Sequence, residues 1–169
     1  MPLLHDKHNF ITFSFNYGRR SEDIRWIQRF SNFERSFLLL QDPLEIEQLS
    51  ILERAGLIQF FEITFALSWK LLKDYEETEG LIVKTPREAI KQAFQSGLIA
   101  NGHDWIDALQ DRNLTAHTYN EATAITVKGK IRGRYFQLLE EMYVYFKNKI
   151  ATRGFLKLDQ QYLILLVEM

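Results

Sequence analysis

Apolar residues recur along most of this chain at the three-and-four spacing of an amphipathic helix. From about Glu22 to Leu40, Trp26, Phe30, Phe33, Phe37 and Leu40 fall four, three, four and three apart. That spacing predicts a first helix with an aromatic stripe turned inward. A second helix is predicted from about Pro43 to Glu79, with a break near Gly56, because a straight rod of that size would reach on the order of 50 Å. Its stretch from Leu57 to Leu72 is apolar nearly all round, which implies burial on several sides. Three more helices are predicted, over about Pro86 to Ser96, Gly102 to Ala116 and Tyr119 to Lys149. The ends read differently. Ile11, Phe13, Phe15 and Tyr17 alternate with Thr12, Ser14 and Asn16, which is the period of a strand. Phe155 to Val167 is apolar and fits either a strand or a short helix. Either the two ends pair as a small sheet or they are additions to a helical domain. The predicted organisation is an N-terminal extension over 1–20, a helical bundle over 21–149 and a C-terminal extension over 150–169.

Local punctuation supports these bounds. Asp42-Pro43-Leu44-Glu45 and Thr85-Pro86-Arg87-Glu88 each place a capping side chain, then Pro, then Glu three residues after the cap. Gly80 and Gly97 read as C-terminal stops.

Composition narrows the classes. The chain has 169 residues, 46% of them hydrophobic, and a net charge of −1, which suits one globular domain and not a strongly basic nucleic-acid coat. The absence of Cys excludes disulfides, thiolate nucleophiles and Cys-ligated metal sites, and suits a reducing cytoplasm. No secretory signal is expected at the N-terminus and no membrane partner. Thirteen Phe, three Trp and seven Tyr call for a dense core or a large interface. Trp26, Trp69 and Trp105 are expected in the core. Glu76, Glu77 and Glu79 are expected in solvent at a helix end. His5-Asp6-Lys7-His8 lacks further ligands, so no metal site is expected.

One constellation carries chemistry. Trp105, Leu109, Arg112 and Ala116 share the inward face of the fourth helix. A guanidinium there needs partners. His117 follows five residues on, roughly 140° around an ideal helix, so it converges with Arg112 only if the helix ends between them. Arginine can stabilise charge on phosphate oxygens, and histidine can take a proton from a ribose 2′-hydroxyl. The bland alternative is that Arg112 pairs with a core carboxylate and His117 closes a helix. The run Lys128, Lys130, Arg132 and Arg134 could contact phosphates or be a solvated face.

Asp111-Arg112-Asn113-Leu114-Thr115-Ala116-His117-Thr118-Tyr119 resembles the signature of the HEPN superfamily, in the nucleotidyltransferase substrate-binding branch related to the HepT toxins. The blocks Gly56–Glu62, Phe65–Lys70, Pro86-Arg87-Glu88 and Trp105-Ile106 resemble other helices of that branch, so the likeness covers about Glu22 to Lys149. It implies an all-α, antiparallel up-and-down helical bundle that forms a homodimer. It implies a metal-independent endoribonuclease toxin with Arg112 and His117 as catalytic residues, Asp111 and Asn113 as supporting polar groups, and no cofactor. It also implies a minimal nucleotidyltransferase partner of the MntA type that silences the toxin by adenylylating Tyr119. An alternative is a non-catalytic subunit that presents a substrate to that partner. Another is a structural helical module. The sequence departs from the family at the basic, Gly-containing opening of the fifth helix and at both ends.

Overall fold

A computed structural model places the backbone of residues 7–115 and 121–167, and the side chains of 24–115 and 121–153. Its elements are α1 (Lys7–Gln41), a 3-10 turn (Asp42–Leu44), α2 (Ile51–Thr78), α3 (Pro86–Gln95), α4 (Gly102–Thr115), α5 (Glu121–Lys130), a π-helical turn (Ile131–Tyr135) and α6 (Phe136–Val167). The last three run on as one rod, so the fold is an all-α bundle of five helical rods, with no strand among the described residues.

The strand-like ends are a correction. Ile11–Tyr17 lies within α1 and Phe155–Val167 lies within α6. Lengthening an existing helix adds one hydrogen bond per residue fixed, whereas an isolated two-stranded ribbon is marginal. The alternating pattern therefore lost to helix propagation.

The aromatic stripe of α1 is the centre of the core. Trp26, Phe30, Phe33, Phe37 and Leu40 are all buried. Phe37 stacks on Phe136 and Tyr143, and Trp26 meets Tyr75 edge-on. These contacts set α1 antiparallel to both α2 and α6. The α1–α2 seam also carries polar pairs: Ser36 Oγ lies 2.7 Å from Thr64 Oγ1, and Arg29 Nε donates to Asp74 Oδ2 at 2.8 Å. By length and composition α2 could cross a membrane, but in the bundle it packs against α1, α3, α4 and α5 as a core helix. Trp69 is only half-buried, unlike Trp26 and Trp105.

The break in the second rod lies ahead of Ser50, not at Gly56, which sits inside α2. Asp42 does not cap a helix: it opens the 3-10 turn. The start of α2 is set by a reciprocal box in which Glu53 N–H donates to Ser50 Oγ and Ser50 N–H donates to Glu53 Oε2. The Ser50 hydroxyl, which donates to Glu53 Oε2 at 2.6 Å, and then the Ser50 N–H hold the Glu53 carboxyl below its usual range. Ser50→Ala should cost about 1 kcal/mol in a denaturant melt, the usual worth of such a cap. The same box at Thr85 and Glu88 opens α3, as the sequence predicts. Gly80 ends α2 with φ +82°, and Leu81 N–H returns to Glu76 O at 3.0 Å, so the left-handed stop is a Schellman closure.

Candidate functional site

The site is built where the end of α4 meets the α5–α6 rod. On α4, Asp104, Asp107 and Asp111 lie three and four residues apart, which puts three carboxylates on one face. The opposing rod supplies the cations. Arg134 donates to Asp104 Oδ1 at 2.7 Å and to Asp107 Oδ2 at 3.2 Å. Lys130 Nζ donates to Asp111 Oδ2 at 2.8 Å, and the Tyr135 hydroxyl donates to the same oxygen. Asp111 is 7% exposed and Tyr135 fully buried, its ring stacked on Phe61 of α2 at 5.6 Å. Burial, and then the Asp111 carboxylate, push the Tyr135 hydroxyl well above the ordinary phenol range, so it remains a donor.

Arg112 follows Asp111 and is half-buried. Its Nε is shielded from solvent without a hydrogen-bond partner, and its guanidinium donates to Asn113 Oδ1 at 3.3 Å. Among the described residues no carboxylate pairs with it. The Thr115 hydroxyl donates to Arg112 O at 3.1 Å in the last turn of α4. His117 and Tyr119 lie outside the described residues. Glu121, in the first turn of α5, accepts from Arg54 of α2 at 2.9 Å, which ties the start of the rod to the start of α2.

The four cations of the rod do different things. Lys130 and Arg134 hold α4. The Arg132 guanidinium donates to the carbonyls of Pro43, Ile46 and Glu47, closing the connection between α1 and α2. No ion pair holds Lys128 among the described residues. Phosphate contact by Lys130, Arg132 or Arg134 would compete with these internal partners.

Sequence reasoning missed Tyr135 and the pairing of the rod with α4. The signal was present: the acidic stripe of α4 and the basic stripe at 128–134 are complementary. Glu76 was also misplaced. It is 2% exposed, with neither carboxylate oxygen hydrogen-bonded, and burial pushes its carboxyl up to about 8. Its neighbour Glu77 pairs with Lys73 and Arg25. Among the described residues no cluster of His, Asp and Glu could hold a metal.

The fold is a helical bundle with an arginine at the end of α4 and a partly exposed ionic seam behind it. Residues 28–148 match the family described as nucleotidyltransferase substrate binding protein like, and the chain belongs to that family. A probable ribonuclease HepT of Haemophilus influenzae is 32% identical over 82 residues, 46% of this chain and 56% of that protein. The chain thus spans little more than half the length of that relative. A crystal structure from Thermus thermophilus is similar at a TM-score of 0.61 and 34% identity, over 65% of this chain and 94% of that one. A Haemophilus influenzae structure, described as the fold of a substrate binding domain of a nucleotidyltransferase, aligns at a TM-score of 0.52 and 24% identity. It covers 72% of this chain and 96% of that one, and shows the fold.

Proposed function

We propose that this chain is a HepT-like, metal-independent endoribonuclease toxin of the cytoplasm, silenced when a minimal nucleotidyltransferase adenylylates Tyr119. The observation that carries this reading is Arg112: a half-buried guanidinium with no carboxylate partner among the described residues, five residues before His117. A structural arginine finds several internal acceptors, as Arg132 does with three backbone carbonyls, whereas Arg112 has one long bond to Asn113 among the described residues. The likeness to a probable ribonuclease supports the same reading.

In the proposed reaction His117 takes the proton from a ribose 2′-hydroxyl. The 2′-oxygen attacks the adjacent phosphorus, the P–O5′ bond breaks, the 5′-oxygen takes a proton from solvent, and a 2′,3′-cyclic phosphate remains. Arg112 stabilises the charge on the non-bridging oxygens. A homodimer would set two such groups about one cleft. Exposed Ile51, Leu52 and Ile125 flank the Arg54–Glu121 ion pair and offer an apolar surface for a second copy. AMP on Tyr119 would place a phosphate and bulk where RNA must enter, repelling it.

The test is RNA cleavage by the purified chain with chelator present and no nucleotidyltransferase. Wild type should cleave and His117→Ala should not. If folded, unmodified wild type leaves RNA intact, the chain is instead a subunit that presents substrate to its partner, the role named in the family description.

A further inference from the structure

We propose that Asp111, clamped by Lys130 and Tyr135 across the π-helical turn, is a positioning residue that aims the Arg112 guanidinium. The inference rests on the ribonuclease reading for its catalytic meaning, but its geometry stands apart from that reading.

The π turn is the first observation. In an α-helix, residues five apart sit roughly 140° from one another, which would turn Lys130 and Tyr135 well away from each other. A π turn closes its hydrogen bonds from i to i+5 and so takes more residues per turn, which brings residues five apart nearer to one side. The turn at Ile131–Tyr135 therefore brings the ammonium and the phenol to a single oxygen, Asp111 Oδ2.

The second observation is how little else holds Arg112. Among the described residues its side chain makes one long hydrogen bond, to the adjacent Asn113. Rotation of α4 about its axis therefore shifts where the guanidinium points. Asp111 is the neighbouring residue, about 100° around the helix, and its anchor is rigid. Tyr135 is fixed by its stack on Phe61 and by the Arg134 guanidinium 5.1 Å from its ring centroid. Arg134 in turn holds Asp107 and Asp104, one and two turns earlier on α4. The ions of this seam are partly exposed and contribute little net stability, while its buried Asp111–Tyr135 contact fixes one geometry. Here that geometry is the rotation of the helix that carries Arg112.

Tyr135→Phe tests this directly, because it removes one donor and keeps the ring stack. With full-length protein and an RNA substrate, kcat should fall about tenfold or more while KM stays within about twofold, the pattern of a misaimed stabilising group. In an Arg112→Ala background the same change should cost nothing further, because Tyr135 acts through Arg112. Asp111→Asn, which still accepts from Tyr135, should retain more activity than Asp111→Ala. Undiminished kcat in folded Tyr135→Phe, or an equal loss with and without Arg112, overturns the proposal. A readout free of catalysis separates it from the ribonuclease reading: the Arg112 Nε–H resonance by NMR. In Tyr135→Phe that resonance should shift and its order parameter fall while core amides stay unchanged. An unchanged Arg112 signal overturns the positioning role even if wild type cleaves RNA. A changed signal upholds it even if wild type does not.

Discussion

Arg112→Ala should lower RNA cleavage by roughly 10²–10³-fold, the usual loss when one charge-stabilising donor is removed from an active site. The melting temperature should hardly move. The two expectations together make the experiment decisive. An arginine that anchors a core carboxylate costs several kcal/mol to truncate, because it leaves a buried charge unpaired. Arg112 leaves no such charge among the described residues: its hydrogen bond is to a neutral amide at 3.3 Å, and its Nε already lacks a partner. Truncation should therefore change stability by under about 1 kcal/mol. Arg112→Lys should recover only part of the activity, since a point charge cannot span two phosphate oxygens as a guanidinium does. Cleavage and stability falling together would mean that Arg112 serves the fold, and the catalytic assignment would be lost.

What was legible in the sequence divides along physical lines. Features that depend on a few neighbouring residues read correctly. The Trp26–Leu40 stripe is a matter of period, and Thr85-x-x-Glu88 satisfies its own backbone groups. Gly80 and Gly97 sit at positive φ, as helix stops require. Ser50-x-x-Glu53 was equally local, but Asp42-Pro43 gave a competing start signal. That signal failed because the carbonyls of Pro43, Ile46 and Glu47 are satisfied by Arg132, which lies 85 to 89 residues away. The site was half legible. The types and spacing of Arg112, His117 and Tyr119 pointed to phosphodiester chemistry, while His117 and Tyr119 lie outside the described residues. The device behind Arg112 was hidden, because an i to i+5 turn breaks the 3.6-residue period on which such readings rest. The same complementarity of α4 and the rod explains why a run of four cations is not a free basic patch: three of the four are held by groups of the protein itself.

Glu76→Gln should make the fold markedly less sensitive to alkali. Glu76 is buried near the end of α2, with neither oxygen hydrogen-bonded, and burial alone pushes its carboxyl from 4.5 to about 8. The folded state thus holds a proton that the unfolded chain gives up near pH 4.5. The sign follows from that difference. The favourable contribution is fully present below about pH 4.5, declines as the pH rises toward 8, and is gone above it. Each pH unit inside that window removes up to about 1.4 kcal/mol, so the loss by pH 7 is on the order of 3 kcal/mol, a large share of a small domain's stability. Gln fills the same volume and carries no charge at any pH. Denaturant melts of wild type and Glu76→Gln should be close at about pH 5 and diverge steadily to about pH 8, with the variant the more stable. Curves that stay parallel across that range would show that Glu76 ionises with an ordinary pKa in the folded protein, and that the end of α2 opens to water around it.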